Sequence, residues 1–322
     1  MDSLKNLPIK RHASLISRFP ETRLSSTLEK EKANWIIFAE HLSVDSMNTL
    51  DSASGIEHSI LDIWKVGKYE VALMDGDLTT EKQRILKTLH LDYANVSDVP
   101  DLSTPGVIVF DMDSTVIQIE CIDEIAKLAG VGEQVAEVTE KAMQGELDFE
   151  ESLRARVKTL TGADESILQQ VREKLPLMPD ALELMNSLKS FGWKTAIASG
   201  GFTYFSDYLR QLLNLDYAKS NQLEITKGKL TGNVLGDVVS AQTKAEILVE
   251  LADKYEVEQH NTVAVGDGAN DLEMMSVAGL GIAYHAKEKV EASAQTAVRN
   301  VGLGGVMCIL SAGLVKQKKI AW

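Results

Sequence analysis

Two carboxylates one residue apart are the first candidates for chemistry in this sequence. Asp111 and Asp113 directly follow the apolar run Val107–Phe110, whose composition predicts a buried β-strand. Alternate residues of an extended chain point to opposite sides, so both acids can face one crevice while Met112 points away. Such a pair can divide catalytic work, with one acid ionised as a nucleophile or metal ligand and the other protonated as a proton donor.

Three further groups of polar residues lie close to predicted strand ends. They are the run Ser199-Gly200-Gly201, the residue Lys244 early in a predicted helix over 241–254, and the Gly-Asp-Gly-Ala-Asn-Asp run at 266–271. Each group alone is ordinary, since such runs are most often turns or helix starts and a single lysine is most often solvated. The strand ends of a parallel sheet converge on one crevice, however, so all four groups can meet there.

Phosphoryl transfer is the chemistry that these groups can perform together. Carboxylates from two loops favour a hard cation such as Mg²⁺, which prefers oxygen ligands. Backbone amides at the start of a helix bind phosphate, and a fixed lysine charge stabilises an oxygen-rich transition state. Asp111 can attack phosphorus and form an aspartyl phosphate. A second acidic pair, Asp75 and Asp77, is interpreted as a turn, because a predicted helix over 79–89 follows at once.

Composition argues against several classes of function. The 322 residues include 33 basic and 47 acidic side chains, a net charge of −14, which disfavours binding to nucleic acid or to an anionic membrane. Two cysteines and the lack of a signal-peptide pattern predict a protein of the reducing cytoplasm. The late apolar stretch 301–315 is too short and too rich in glycine to span a bilayer, and is predicted to be a buried helix.

The order of predicted elements divides the chain into two domains. Residues 1–100 are expected to form an α+β module. A stretch with two prolines and a glycine, residues 96–106, marks the boundary at its end. Strands are predicted in the module at 35–39, 60–66 and 69–74. Residues 101–322 alternate strands and helices, which predicts a doubly wound parallel α/β sheet with helices on both faces. A helical insert, about residues 122–178, is expected to cover the carboxyl edge of that sheet as a cap.

The motif residues resemble those of the haloacid dehalogenase-like phosphatases. The matching residues are Asp111, Asp113, Thr115, Ser199, Lys244, Asp267 and Asp271. The resemblance implies a Rossmann-like α/β core with Asp111 as the nucleophile and Asp113 as the proton donor and acceptor. It also implies one Mg²⁺ per active site, held by Asp111, the backbone carbonyl of Asp113, and Asp267. In that family pattern, Asp271 supports the loop that carries the last ligand.

Further residues resemble the phosphoserine phosphatases within that superfamily. They are Glu120, Met143, Phe149, Arg156 and the Ser-Gly-Gly-Phe run at 199–202. The resemblance implies hydrolysis of the small-molecule substrate O-phosphoserine to L-serine through an aspartyl phosphate, the last step of serine biosynthesis. Glu120 would take the substrate ammonium and Arg156 its carboxylate, while Met143 and Phe149 would wall the pocket. The substrate and its phosphoryl oxygens would be held by Ser199, Gly200, Lys244 and Asn270.

Alternatives remain open for both parts of the chain. Glu120 and Arg156 could be ordinary surface charges, and Met143 and Phe149 could pack the interior of the cap. A different small phosphomonoester is the alternative substrate, and a non-catalytic ligand-sensing protein would leave the acid pair idle. The N-terminal module is similar in size and pattern to amino-acid-binding regulatory (ACT-like, ferredoxin-like) domains. It could sense serine, mediate a homodimer or only stabilise the catalytic domain.

Overall fold

Two β-sheets, one antiparallel and one mainly parallel, organise the chain in the computed structural model, which describes residues 6–25 and 30–320. The first sheet and its helices comprise β1 (Ile9–Lys10), α1 (Ala13–Ile16), β2 (Trp35–Ala39), α2 (Val44–Ser54), β3 (Ile60–Val66), β4 (Tyr69–Met74), α3 (Thr80–Thr88) and β5 (Asp92–Asn95). The remaining elements are β6 (Val107–Phe110), α4 (Cys121–Ala129), α5 (Gly132–Met143), α6 (Phe149–Thr159), α7 (Ser166–Glu173), α8 (Ala181–Ser190), β7 (Lys194–Phe202), α9 (Thr203–Leu212), β8 (Tyr217–Thr226), β9 (Lys229–Leu235), α10 (Ala241–Lys254), β10 (Thr262–Gly266), α11 (Leu272–Val277), β11 (Leu280–Tyr284), α12 (Glu288–Ser293), β12 (Thr296–Val298) and α13 (Gly304–Lys316).

The antiparallel sheet has the strand order β1-β3-β4-β2-β5. From β2 to β5 the elements follow a βαββαβ order, the ferredoxin-like pattern expected of the module. The three predicted strands are confirmed, and Gly67 makes the hairpin turn between β3 and β4 with a φ of +57°. One face of the sheet packs on α2 and α3 through a core that includes Trp35, Ile37 and Leu86.

The second sheet has the order β12-β11-β10-β6-β7-β8-β9, parallel from β12 to β8 and closed by the antiparallel hairpin β8–β9. Residues of β6 alternate between two cores. Ile108 and Phe110 belong to the core that contains α8 and α13, whereas Val107 and Val109 pack in the core with α10 and α11. The predicted doubly wound α/β architecture, with helices on both faces, is therefore confirmed.

The helices α4 to α7 form the insert between β6 and β7, which is called the cap below (residues 121–173). The hairpin β8–β9 binds the connection between α6 and α7 of this insert by backbone hydrogen bonds. The Gly162 amide donates to the Leu230 carbonyl at 2.8 Å, and the Leu230 amide donates to the Ala163 carbonyl at 2.9 Å. A third bond joins the Glu165 amide to the Gly228 carbonyl at 3.0 Å. The hairpin thus connects the cap to the edge of the parallel sheet.

The late apolar stretch forms α13, as predicted, and α13 is buried on all sides from Gly304 to Val315. It packs between α8 and the face of the antiparallel sheet opposite α2 and α3. The Trp64 indole donates to the Ser311 hydroxyl at 2.9 Å across this contact. Within residues 6–25 and 30–320, no helix combines the length and apolar character that crossing a lipid bilayer requires.

The connection between the two sheets is fixed by the side chain of Asn261. Its amide nitrogen donates to the carbonyls of Asp101 and Pro105 at 3.2 and 2.8 Å, and its oxygen accepts from the Asp101 amide at 2.7 Å. Leu102 in the same connection is fully buried. The predicted boundary therefore lies in a packed segment.

Candidate active site

The acid pair lies at the carboxyl end of β6, next to the end of β10. The Asp111 amide donates to the Val265 carbonyl at 2.9 Å, which extends the pairing of the two strands by one residue. Asp111 and Asp113 both line a pocket, although only 6% and 9% of their surfaces are exposed. Met112 between them is fully buried in the hydrophobic core. The alternation expected of an extended chain thus aims both carboxylates into one crevice.

Lys244 lies beneath the pocket and joins two of its acids. Ser240 caps the N-terminus of α10 by accepting from the Thr243 amide, which sets Lys244 in the first turns of the helix. The Lys244 Nζ donates to Asp111 Oδ1 at 2.8 Å and to Asp271 Oδ1 at 2.7 Å, and the side chain has no exposed surface. Burial alone would lower the pKa of Lys244, but the two carboxylates outweigh it and raise that pKa. The lysine therefore carries a fixed positive charge.

A cluster of three carboxylates forms where β10 ends. Oxygens of Asp111, Asp267 and Asp271 lie within 4.8 Å of one another. The Gly268 amide donates to Asp271 at 3.0 Å and thereby fixes the loop that carries Asp267. Burial, followed by the charges of Asp111 and Asp271, raises the pKa of Asp267 to about 7. An all-oxygen set with more negative charge than its single lysine can balance fits a hard divalent cation.

The second acid of the pair has surroundings that favour its neutral form. Burial, then the charges of Glu120 and Asp111, raise the pKa of Asp113 well above its ordinary value. Among the described residues, its Oδ1 has no hydrogen-bond partner. The neighbouring Cys121 is also buried, and burial raises the pKa of its thiol, so it is not a nucleophile at neutral pH. Asp113 is thus suited to hold a proton while Asp111 stays paired with a lysine.

The loop at the end of β7 forms another wall of the pocket. Ser199 is buried, and its hydroxyl accepts a hydrogen bond from the Gly201 amide at 2.9 Å. Phe149 of the cap packs directly over Gly200, since a Cβ on that glycine would lie 2.7 Å from the Phe149 Cζ. The absence of a side chain at Gly200 allows the Phe149 ring of the cap to approach the loop this closely.

One face of helix α6 supplies the cap side of the pocket. Phe149, Leu153 and Arg156 are spaced i, i+4 and i+7, so they share a face, and all three line the pocket. Across from them lies Glu120, whose Oε1 accepts from the Ser114 hydroxyl at 2.8 Å. Burial lowers the pKa of Arg156 and raises that of Glu120, although Glu120 keeps contact with solvent at the pocket. One positive and one negative group therefore face the same space.

Most of the predicted site residues meet in this pocket. The predicted residues that line it are Asp111, Asp113, Glu120, Phe149, Arg156, Ser199, Gly200, Asp267 and Asn270. Lys244 and Asp271 do not line it: Lys244 bonds to Asp111 from below, and Asp271 bonds to Lys244. The cavity measures about 140 Å³, the size for a small molecule rather than a polymer.

The prediction for Met143 is corrected by the structure. Met143 ends α5, and 67% of its surface is exposed, so it does not wall the pocket. Its helix packs inward through Val135 instead. Ile122 and Leu153 supply the apolar walls that sequence reasoning missed. Leu153 could have been predicted, because it lies three residues before Arg156 and therefore on the same face of the helix.

Comparisons with known proteins agree with this geometry. The sequence profile of the haloacid dehalogenase-like hydrolases matches residues 105–279, and a profile described as a domain of unknown function (DUF5609) matches residues 31–95. A phosphoserine phosphatase of Vibrio cholerae is 67% identical over 322 residues, which cover 100% of this chain and 98% of the relative.

Solved structures show the same likeness in three dimensions. The unliganded crystal structure of a probable phosphoserine phosphatase from Vibrio cholerae superimposes with a TM-score of 0.94 over 100% of both chains, at 67% identity. A phosphoserine phosphatase captured as a phospho-aspartyl intermediate analogue has a TM-score of 0.60 and 39% identity, covering 63% of this chain and 98% of that one. The likeness to that second structure therefore extends over about two thirds of the present chain.

Proposed function

Because the chain belongs to the haloacid dehalogenase-like hydrolases, and within them to the phosphoserine phosphatases, we propose that it hydrolyses O-phospho-L-serine to L-serine and phosphate. The observation that carries the proposal is a single small pocket that unites Asp111 and Asp113 with two groups of opposite charge, Glu120 and Arg156. The reaction is the last step of serine biosynthesis.

Asp111 is the nucleophile of the proposed reaction. Its carboxylate attacks phosphorus, and the new Asp–O–P bond forms as the bond from phosphorus to the seryl oxygen breaks. Asp113 gives its proton to that oxygen, which leaves as the serine hydroxyl. Water then attacks the aspartyl phosphate and loses a proton to Asp113, which releases phosphate and restores both acids. The raised pKa of Asp113 supports this role, since the group must be protonated before the first step.

In the proposed reaction the loop at 199–201 binds the phosphoryl oxygens, and Lys244 supplies positive charge beneath them. Ser199 and Gly200 line the pocket, and Asn270 lines it from the loop after β10; the Ser199 hydroxyl and the Gly200 amide are the proposed donors to the phosphoryl oxygens. Lys244 holds Asp111 in place, because its Nζ donates to Asp111 Oδ1 at 2.8 Å, and it supplies positive charge beneath the phosphoryl group. Such preorganised donors stabilise the charge that develops on the transferring group.

The carboxylate cluster would hold one Mg²⁺. Asp111, Asp267 and the backbone carbonyl of Asp113 would be its protein ligands, with Asp271 fixing the loop. When bound, the ion would offset the negative charge of the carboxylates and of the phosphate. The raised pKa of Asp267 supports this assignment, because it reports a carboxylate crowded by others without enough positive charge.

Glu120 and Arg156 give the pocket its preference for a free phospho-amino acid. O-phosphoserine carries an ammonium and a carboxylate beside its phosphate, and the two side chains match these charges; a guanidinium suits a planar carboxylate. Ser114 orients Glu120 through its hydrogen bond. A simple aryl phosphate lacks both charges and would gain nothing from either residue.

Arg156→Ala tests this preference. Loss of a charged hydrogen bond of about 1.5–3 kcal/mol predicts a drop in kcat/KM of roughly 10- to 150-fold on O-phosphoserine and little change on p-nitrophenyl phosphate. Lys158→Ala is the matched control, because Lys158 is an exposed cation on the same helix that does not line the pocket. Equal losses of the Arg156 variant on both substrates would refute the assignment and favour another phosphomonoester.

The activity itself is tested by phosphate release. The purified protein is offered a panel of phosphorylated small metabolites with Mg²⁺ and after chelation. O-phosphoserine is expected to be hydrolysed fastest, and only with the metal. A different preferred substrate, or turnover that ignores chelation, would contradict the proposal.

Location and assembly are part of the same proposal. The protein is proposed to act in the cytoplasm, in keeping with two buried cysteines that form no disulfide. A homodimer through the N-terminal module, and an ACT-like response of that module to serine, remain predictions. Sedimentation velocity with and without serine tests both at once.

A further inference from the structure

The side chain of Asn221 lies where strand β8 changes partners. Before it, Ala198 of β7 pairs with Lys219, and after it, Gln222 pairs with Leu235 of β9. Asn221 is 1% exposed, and both ends of its amide are bonded. Nδ2 donates to the Gly200 carbonyl at 2.8 Å, and Oδ1 accepts from the Val239 amide at 2.8 Å. Burial of an amide group costs free energy unless its donor and acceptor are both hydrogen-bonded, so the two bonds favour an asparagine side chain at this position.

The peptide between Gly200 and Gly201 is thereby fixed at both ends. Its carbonyl is held by Asn221, and its N–H is held by the Ser199 hydroxyl at 2.9 Å. Crowding restricts it further, because a Cβ on Gly201 would lie 2.5 Å from the Met112 Cε. The orientation of the pocket wall therefore depends on one side chain that does not line the pocket.

We propose that Asn221 is a positioning residue for the loop at 199–201, and that it aligns this loop for the phosphoryl group. The inference rests on the proposed function only in taking that loop as the phosphoryl-binding wall. Displacements of about 1 Å in a positioned group can cost on the order of 10²-fold in rate. Release of the 200–201 peptide should thus weaken binding of phosphate and slow its transfer.

Asn221 also ties the loop to the cap. Beyond it, hairpin β8–β9 bonds to the cap through the Gly162 amide and the Leu230 carbonyl at 2.8 Å. Arg154 of α6 donates to the Val234 carbonyl of β9 at 3.4 Å. The loop at 199–201 and helix α6, which carries Phe149, are therefore both bonded to the β8–β9 hairpin. A displacement of the hairpin would move both walls of the pocket.

Asn221→Asp is the informative substitution. It keeps the size of the side chain and the oxygen that accepts from Val239, but it turns a carboxylate oxygen towards the Gly200 carbonyl where a donor stood. Asn261→Asp is the matched control. Asn261 is 5% exposed and likewise binds backbone carbonyls, but at the amino end of β10, away from the pocket.

The readouts are kcat and KM for O-phosphoserine and p-nitrophenyl phosphate, the inhibition constant of inorganic phosphate, and the melting temperature. The Asn221 variant should lower kcat/KM at least about 10-fold on both substrates and raise the phosphate inhibition constant. The Asn261 variant should lose similar stability with kinetic constants within about twofold of the parent. If Asn221→Asp does not fold, Asn221→Ser is used, since its hydroxyl is too short to reach the Gly200 carbonyl.

Two outcomes overturn the proposal. In one, the Asn221 variants lose only stability, as the control does; in the other, they lose activity on O-phosphoserine alone. The test is independent of the substrate assignment. If the parent protein hydrolysed the aryl phosphate but not O-phosphoserine, the proposed phosphoserine phosphatase activity would be refuted. The aryl phosphate and inorganic phosphate measurements would still decide the role of Asn221.

Discussion

Asp111 and Asp113 are both aspartates and lie two residues apart, but their surroundings give the two carboxyl groups different tendencies to hold a proton. Asp111 accepts a hydrogen bond from Lys244 at 2.8 Å, whereas Asp113 has an oxygen without a partner among the described residues. Burial, Glu120 and Asp111 raise the pKa of Asp113, so a proton is held beside an acid paired with a cation. Environments that separate two carboxyl groups in this way assign the nucleophile and the acid.

Asp113→Asn should retain binding of Mg²⁺ and substrate yet lose about 10²–10⁴-fold in kcat, the usual contribution of a general acid and base. The amide cannot supply a proton to the seryl oxygen or take one from water. Steady-state kinetics with Mg²⁺ titration measures this loss. The control is Asp237→Asn, a change at an exposed acid near the end of the β8–β9 hairpin. Turnover of the Asp113 variant within a few-fold of the parent would remove Asp113 from this role.

The metal-free protein should become less stable as pH rises. Burial and the charges of Asp111 and Asp271 raise the pKa of Asp267 from 3.8 to about 7, so the folded state binds more protons than the unfolded state between those values. Stability therefore falls through that window as Asp267 ionises. Mg²⁺ relieves the penalty, so it should raise the melting temperature more at about pH 8 than at about pH 5.

Differential scanning fluorimetry of chelated protein, with and without Mg²⁺, measures that dependence. Asp267→Asn is the control, because it removes the titrating charge and one ligand together. It should flatten the pH dependence of the metal-free protein and abolish most of the Mg²⁺ effect. An equal Mg²⁺ shift at both pH values would contradict the assignment of Asp267.

At the scale of elements, helix α6 and the end of strand β7 meet where Phe149 packs on Gly200. The Asp148 side chain and Glu151 form a capping box at the start of α6, which fixes where Phe149 begins the helix. Phe149 then packs on Gly200 with no space for a methyl group. The position of the cap and the shape of the phosphoryl loop are therefore coupled.

Gly200→Ala should displace the Phe149 ring, because the new Cβ would lie 2.7 Å from Phe149 Cζ. We expect kcat/KM to fall at least about 10-fold, while the melting temperature changes little, since the ring is half-buried and can move. The double variant Phe149→Ala with Gly200→Ala should recover part of the loss relative to Gly200→Ala alone. Losses that simply add would show that the two residues are not coupled.

Short elements with strong local patterns were predictable, and irregular non-local ones were not. The run Val107–Phe110 is apolar throughout because both faces of β6 are buried, and that pattern places Asp111 and Asp113 at a strand end. Strand β8 contains Lys219, Asn221 and Gln222 among few apolar residues, so its pairing with β7 and β9 carried no usable periodicity. The roles of Asn221 and of the hairpin follow only from contacts between distant segments.

At the scale of the whole molecule, α13 lies in one continuous hydrophobic core that both sheets share. It covers one face of the antiparallel sheet and packs on α8, and the Trp64 indole bonds to the Ser311 hydroxyl inside that contact. Asp92 at the start of β5 accepts from the backbone amides of Arg299 and Val301 at 2.6 and 3.0 Å. The N-terminal module is therefore joined to the second sheet by a buried surface as well as by the chain.

A chain that starts at Leu102 should fold poorly. Removal of the antiparallel sheet exposes the apolar face of α13, and burial of apolar surface contributes about 25 cal/mol per Å². We expect aggregation or a strongly lowered melting temperature, measured by soluble yield and calorimetry. Ser311→Ala in the full chain is the milder control, since it removes one buried hydroxyl, the partner of the Trp64 indole, and leaves the apolar contact in place. A truncated chain with parental stability and activity would show that the module is dispensable.

The position of α13 against the antiparallel sheet also has a consequence for how the protein is synthesised. Roughly 230 residues separate the end of β4 from the start of α13, and at about 5–20 residues per second their synthesis takes on the order of 10–50 s. During that interval strands β2 to β4 are already made, but the helix that covers their apolar face has not yet left the ribosome. We therefore expect nascent copies to bind molecular chaperones until α13 has emerged.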